Sequence, residues 1–397
     1  MDKKTFYGEY TLLHWVELIL QKNIKLPEYQ RSFVWQKAQV ENFLLNIKNG
    51  IFVPPVIIGS LEQGGTHDNI ILDGQQRLTS ILLGFLGIFP KKDAFFAEET
   101  PLYTADDANE DDEEDGEVIP WTFKLLTSDE RNKTKADILG NINRAKYESL
   151  RADTNLDETF LNNTYLGFSY IVPSNASENE QQRFYSTVFH DINQQGVALQ
   201  GQESRRSLYY LNKDLVPYFE PSLCSLLKIT QNGKTRRYDY VRTLAFLSEY
   251  AKQGNVTKIA KGCRSQERLE VYYESFINAV VTNTDDPRFG KFSTLIGAGN
   301  IDPRTHQLQD SIEALGFNDI IFSNIIEADT NLLGLIYQIM FNDKHLDDTR
   351  YVELKEELSS KAEEFRGIED HRKSPNSISY LRQRIRASIE IYSHYIL

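Results

Sequence analysis

The stretch Ile70-Ile71-Leu72-Asp73-Gly74-Gln75-Gln76-Arg77-Leu78-Thr79 holds two different periodicities joined at one point. An apolar run suited to a buried strand stops at an acid and a glycine. From Gln75 onward, Leu78, Ile81, Leu82 and Phe85 recur at i, i+3, i+4 and i+7, which predicts a helix running to Gly87. Upstream, Pro54-Pro55 introduces a strand at Val56–Gly59, and Gln63–Thr66 reads as a turn, so Asn69–Leu72 becomes its hairpin partner. Before that hairpin, Val40, Phe43, Leu44 and Ile47 mark a helix stopped by Asn49-Gly50. Residues 11–22 read as a short amphipathic helix, and Asn23–Pro27 as extended, since a residue preceding proline avoids the helical region. The order strand, helix, strand, strand, helix describes an α+β unit.

Downstream, residues 91–117 are an insertion of charged and small residues, best read as a solvated disordered loop. Trp121–Leu126 and Tyr165–Val172 look like strands returning to the first unit, with Ser128–Asp153 helical between them. From Glu178 the pattern is mostly helical: Glu180–His190, Gly201–Asn212, Arg237–Ala251, Gln266–Asn278, Leu332–Met340, Tyr351–Phe365 and Ser377–Ile396. The expected division is an α+β domain over 1–195 and a helical domain over 196–397.

Composition narrows the function classes. The 397 residues are 40% hydrophobic, enough for a buried core. Cys224 and Cys263 cannot form a disulfide framework and sit in no metal-ligand spacing, which suits a reducing cytosol. No signal-peptide core follows Met1, and the longest apolar run, Ile81–Phe89, is too short to span a bilayer. The formal charge of −13 is concentrated: Asp106–Glu117 holds nine carboxylates, and without them −4 remains. A polyanionic partner would therefore meet a local basic patch. Lys234, Arg236, Arg237 and Arg242, together with Arg382 and Arg386 on one helix face, are the candidate nucleic-acid surface. Solvated helix faces are the competing reading.

The chemistry concentrates at Asp73–Arg77. A strand turning directly into a helix aims backbone N–H groups at one spot, and the helix dipole favours an anion there. Gly74 permits close approach, Gln75 and Gln76 offer amides, and Arg77 carries a planar fork suited to phosphate. Asp73 could hold a metal, orient water or fix Arg77; equally, it could simply cap the helix. Gln30-Arg31, before the next helix, is a second cationic, amide-bearing turn, while Tyr29, Phe33 and Trp35 beside it read as core. A third cluster comprises Asn193, Gly196 and Glu203, where a plain connection between helices is the default. Asn232-Gly233-Lys234-Thr235 has the tail of a phosphate-binding loop but lacks its first glycine. Asp370-His371, Asn376 and His394 offer the residue types of a His-Asn-His nuclease without the flanking pattern. The histidines are scattered, and no metal site is expected.

Three clusters in order carry a resemblance. They are Leu26-Pro27-x-Tyr29-Gln30-Arg31-x-Phe33-x-Trp35, Leu72-Asp73-Gly74-Gln75-Gln76-Arg77-Leu78-Thr79 and Ile192-Asn193-x-x-Gly196-x-x-Leu199-x-x-x-Glu203. Together they resemble the amino-terminal domain of GmrSD-type modification-dependent restriction systems, of the ParB/sulfiredoxin-like superfamily, over about the first 210 residues. The resemblance implies a ParB-like fold used in defence against phage. It also implies nucleoside triphosphate hydrolysis (ATP or GTP, with Mg²⁺) or phosphodiester chemistry at the Asp-Gly-Gln-Gln-Arg turn, and DNA, including modified phage DNA, as partner. Asp73, Gln75, Gln76 and Arg77 would then be catalytic, and Gln30, Arg31 and Gly74 nucleotide-binding, with Asn193 and Glu203 in support. Long family members carry a carboxy-terminal His-Asn-His nuclease, and this chain ends before one could fit. The expectation is a nucleoside triphosphate hydrolase that works with a separate nuclease subunit or acts alone as an NTPase or weak DNA nickase, with a non-catalytic DNA sensor subunit as the alternative.

Overall fold

In the computed structural model the strand–turn–helix stands where its periodicities place it. The structure describes residues 2–27, 33–63, 66–96, 121–174, 177, 180–181, 184–185, 187–188, 192, 201–263 and 265–397. The chain forms two compact units that meet in sequence between Glu203 and Ser204.

The first unit is built on a mixed five-stranded sheet. Its strands are β1 (Asp2–Thr11), β2 (Ile24–Lys25), β3 (Val56–Gln63), β4 (Thr66–Asp73) and β7 (Tyr165–Ser174), in the order β1-β7-β3-β4-β2. β3 and β4 are the expected antiparallel hairpin; β7 runs parallel to β3 and antiparallel to β1. A small pair, β5 (Ile88–Pro90) and β6 (Tyr147–Ser149), lies outside this sheet. Helices α1 (Leu12–Leu20), α2 (Lys37–Lys48) and α3 (Gln75–Leu86) share one core with Val56, Ile58 and Ile71. Thr11 caps α1 by accepting from His14 N at 3.1 Å, and the Trp15 indole donates to Leu166 O at 3.2 Å, tying α1 to β7. On α3, Gly84 makes room for α2, because a Cβ there would stand 2.7 Å from Leu44 Cδ2. Leu61, Ile70 and Leu72 form a smaller cluster with Tyr185, whose hydroxyl donates to Ser60 O and Ile171 O at 2.7 and 2.9 Å.

Two expectations for this unit need correction. Trp121–Leu126 is not a strand. Trp121 and Phe123 are buried, with Trp121 edge-on to Phe33, and Lys124–Thr127 forms a single helical turn. Ser128–Asp153 is α-helical only over Lys135–Asn141, after which a 3-10 turn at Arg144–Lys146 leads into β6. Asn141 and Asn143 explain the stop, since both favour turns over helix interiors. Strand β1 was not expected at all. Residues 4–9 are exposed, so burial imposed no apolar alternation on them.

The second unit is mostly helical, as expected. It also holds a short hairpin, β8 (Lys228–Gln231) and β9 (Lys234–Arg237), flanked by β10 (Ile321–Phe322). Asn232 and Gly233 have φ of +48° and +72°, the left-handed pair that a two-residue hairpin turn requires. The partial phosphate-loop match is therefore a turn. An unexpected helix spans Ile301–Ala314. At the centre lies the Ile325–Ile336 helix, which packs on the Ile378–Ser393 helix at Gly334. Gly334 N donates to Ser388 Oγ at 2.7 Å, and that hydroxyl donates to Thr330 O at 2.8 Å.

This core encloses a charge network. Asp329, fully buried, accepts two bonds from the Arg242 fork at 2.9 Å each, two from Arg384 at 3.1 and 2.9 Å, and one from the Tyr238 hydroxyl at 2.9 Å. Burial alone would push its carboxyl up, but the two guanidiniums outweigh burial and hold it below the ordinary carboxylate value. His371, also buried, stacks on Tyr380, and its Nε2 lies 2.7 Å from an Arg384 nitrogen. Arginine can only donate, so Nε2 accepts and the imidazole is neutral. Burial and the Arg384 charge push its pKa from 6.5 down to about 4. With the folded value depressed, the unfolded chain binds more protons between these limits, so stability is lost as pH falls from 6.5 toward 4. The expected loss is about 2–3 kcal/mol, read as an acid shift of the helical unit's unfolding midpoint that His371→Gln flattens.

Candidate functional site

Strand β4 ends at Asp73, and just before it the β3–β4 register shifts: Ile57 faces Asp73 and Ile58 faces Ile71, so β4 carries the extra residue, Leu72. A bulge of this kind bends its strand locally, and bulges are common beside functional sites. Gly74 follows with φ +95°, a conformation that strains any residue bearing a Cβ, and a Cβ there would stand 3.0 Å from Val56 Cγ2. Gly74 is the cap residue of α3, so the helix begins with no side-chain cap, and Leu78 N makes the first helical bond, to Gly74 O at 2.9 Å. Asp73 is therefore not the cap that one sequence reading allowed.

Asp73 instead pairs with Arg77 one turn on. Arg77 donates to Asp73 Oδ2 at 2.6 Å through one terminal nitrogen, and to the carbonyls of Pro54 and Pro55 through the other. The Arg77 side chain is 12% exposed and that of Asp73 39%. The arginine thus ties the first turn of α3 to the Pro54-Pro55 backbone and to the side chain at the end of β4, holding that carboxylate at the turn. Sequence reasoning made Arg77 a phosphate fork and missed its carbonyl partners. Pro54-Pro55 signalled only a strand start, and nothing in their side chains announces an acceptor.

Gln75 and Gln76 are buried. The Gln76 side-chain Oε1 accepts from Val34 N at 3.1 Å, which stitches the turn to the segment after Gln30-Arg31. In that segment Phe33 is fully buried against Phe89 and Trp121, and Trp35 packs on Phe43, so both belong to the core. Further along α3, Thr79 Oγ1 is buried without a hydrogen-bond partner among the described residues.

Gln30, Arg31 and Asn193 lie outside the described residues, as does the acidic run Asp106–Glu117. Glu203 falls in the helix Gly201–Tyr209, of which only the backbone is described at that position. Among the described residues no group of three or more His, Cys, Asp or Glu gathers as a metal site, and no helix is long and apolar enough to cross a membrane.

The proposed basic surface of the second unit divides. Arg242 leaves it, since that side chain is buried and both ends of its fork are committed to Asp329. Arg382 is half-buried and donates from Nε to Ile259 O at 3.0 Å, anchoring a loop. Arg386 and Lys234 are exposed, and Arg236 and Arg237 half-buried on β9.

Residues 15–210 match the family model of the GmrSD restriction endonuclease N-terminal domain. Searches of curated proteins and of solved structures give no match. The matched span encloses the Asp73–Arg77 turn and runs from within α1 to the start of the helical unit, leaving out β1.

Proposed function

We propose, from the premise that residues 15–210 form a GmrSD-type N-terminal domain, that this is a restriction-type phage-defence protein that binds and hydrolyses a nucleoside triphosphate at Asp73–Arg77 and engages DNA. The observation that carries the reading is the start of α3: a left-handed glycine with no side chain, followed directly by a helix with no side-chain cap, beside a pinned acid–arginine pair. A helix start of this kind attracts phosphate through backbone N–H groups and the helix dipole. Arg77, fully engaged at home, acts mainly by positioning Asp73, and Asp73 is the group that would orient water or share Mg²⁺ with the phosphates. Magnesium needs no protein cage for this, being commonly held by one or two carboxylates and the substrate itself. Strand cleavage falls to a partner nuclease in this account. In support, His371, the histidine of the partial nuclease-like set, is spent on Arg384 in the core.

The alternative is a DNA sensor without turnover, in which the same turn grips a backbone phosphate. Phosphate release with Mg²⁺ and each nucleoside triphosphate, with and without DNA, separates the two. Release supports the hydrolase. Its absence, together with steeply salt-dependent DNA binding that Arg77→Ala weakens, supports the sensor.

A further inference from the structure

In the second unit the loop Ile259–Cys263 is held in an unusual shape by charged side chains. Ala260 stands at φ +47°, a conformation that a residue bearing a Cβ rarely takes, and Gly262 at φ +90°. Arg382 donates from Nε to Ile259 O at 3.0 Å, Glu249 accepts from Ala260 N at 2.8 Å, and Arg268 donates to Gly262 O at 3.2 Å. A third arginine, Arg288, lies over the Tyr272 and Phe289 rings, 5.7 and 5.2 Å from their centres. These arginines surround one thiol: burial pushes Cys263 up, and the charges of Arg288, Arg268 and Arg382 pull it back. Among the described residues none of the three meets a carboxylate, whereas Arg205, Arg242, Arg350 and Arg384 each do. The acids close by are engaged elsewhere. Glu249 is buried and also accepts from the Tyr272 hydroxyl at 2.8 Å, Asp285 holds Lys252 at 3.1 Å, and Asp286 accepts from the backbone nitrogens of Arg288 and Phe289. Arg268 and Arg288 are exposed. So are Lys261 in the loop and Arg386, one turn beyond Arg382 on the same helix face.

We propose that this cluster grips the phosphodiester backbone of DNA. The occupant follows from charge and from residue type. The chain carries −13, so a polyanion can settle only where the local sign reverses. Guanidiniums already steadied by a carbonyl or a ring keep further N–H donors for the planar, bidentate contact that phosphate accepts. A backbone contact supplies affinity and register and reads no sequence. The inference rests on the reading that this protein engages DNA, and it does not depend on the nucleotide site.

The test is fluorescence anisotropy of a short labelled duplex with the full chain over a salt series, with circular dichroism confirming the fold of each variant. The wild type is expected to bind with a steep salt dependence. Arg268→Gln combined with Arg288→Gln should weaken binding roughly tenfold or more and shallow the log–log salt slope by about 2. Arg268→Lys combined with Arg288→Lys keeps the charges without the forks, and should lose some affinity while holding the slope. A wild type that binds DNA, with the glutamine pair altering neither affinity nor slope, overturns this surface and leaves the DNA reading standing. A lysine pair that loses the slope as fully as the glutamine pair also overturns it, since the arginines would then serve only the fold. A wild type that binds no duplex, or binds phosphatidylserine vesicles in its place, overturns both the surface and the DNA reading.

Discussion

Asp329→Ala is expected to collapse the helical unit while leaving the α+β unit folded. The substitution removes the carboxylate shared by two buried guanidiniums: Arg242 gives it both terminal nitrogens, and Arg384 gives it Nε and one terminal nitrogen while also contacting His371 and Pro375 O. Breaking a buried ion pair from one side costs about 3–5 kcal/mol, a large share of the 5–15 kcal/mol that typically holds a domain together. Here two guanidiniums lose their shared counter-ion, and the Arg384 from which His371 accepts loses the anchor that fixes it. The distribution of tryptophan makes the effect separable. Trp15, Trp35 and Trp121 account for all three tryptophans, and all lie in the first unit. Intrinsic fluorescence therefore follows the α+β unit, and far-ultraviolet circular dichroism follows the helices of both. The variant should lose helical signal at much lower denaturant while the fluorescence midpoint holds. A fluorescence midpoint that falls equally would show the two units to be one cooperative structure.

Arg77→Ala should give the converse pattern. It removes a charge-assisted bond to Asp73 and the crosslink to the Pro54 and Pro55 carbonyls, so the fluorescence midpoint falls by the equivalent of about 2–3 kcal/mol. Nucleotide turnover should vanish with it, because Asp73 is released from the mouth of the turn. Arg77→Lys is the sharper variant. A single ammonium keeps the charge but cannot span the acid and both carbonyls, so lysine should recover part of the stability and little of the turnover. Full recovery of both by lysine would mean that only the charge matters and that the positioning role is wrong.

How much of this could be read from sequence depended on whether burial left a mark. The α3 helix and the β3–β4 hairpin were legible because their bulky apolar residues recur at the right spacings: Leu78, Ile81, Leu82 and Phe85 on the helix, Val56 and Ile58 on the strand, although α3 is buried nearly all round and the hairpin carries core residues on both faces. β1 was illegible because its middle residues are exposed and so carry no alternation. Trp121–Leu126 looked like a strand because bulky apolar residues stand close together there, yet the core takes Trp121, Phe123 and Leu126 from an irregular turn. The Asp73–Arg77 turn was located correctly, but the partners of Arg77 were hidden, since a backbone carbonyl has no residue type. Arg242 was misplaced for a related reason. Its counter-ion, Asp329, is far away in sequence, and nothing local distinguishes a buried arginine from a solvated one.

The central claim, that Asp73 serves chemistry at the start of α3, is most directly tested by Mg²⁺-dependent phosphate release from Asp73→Ala set against the wild type, with tryptophan fluorescence confirming that both are folded. The account predicts release by the wild type and a loss of about a hundredfold or more in the variant, the scale on which a positioned acid–base group contributes. Equal release by a folded Asp73→Ala protein would contradict it and return the turn to a purely structural role.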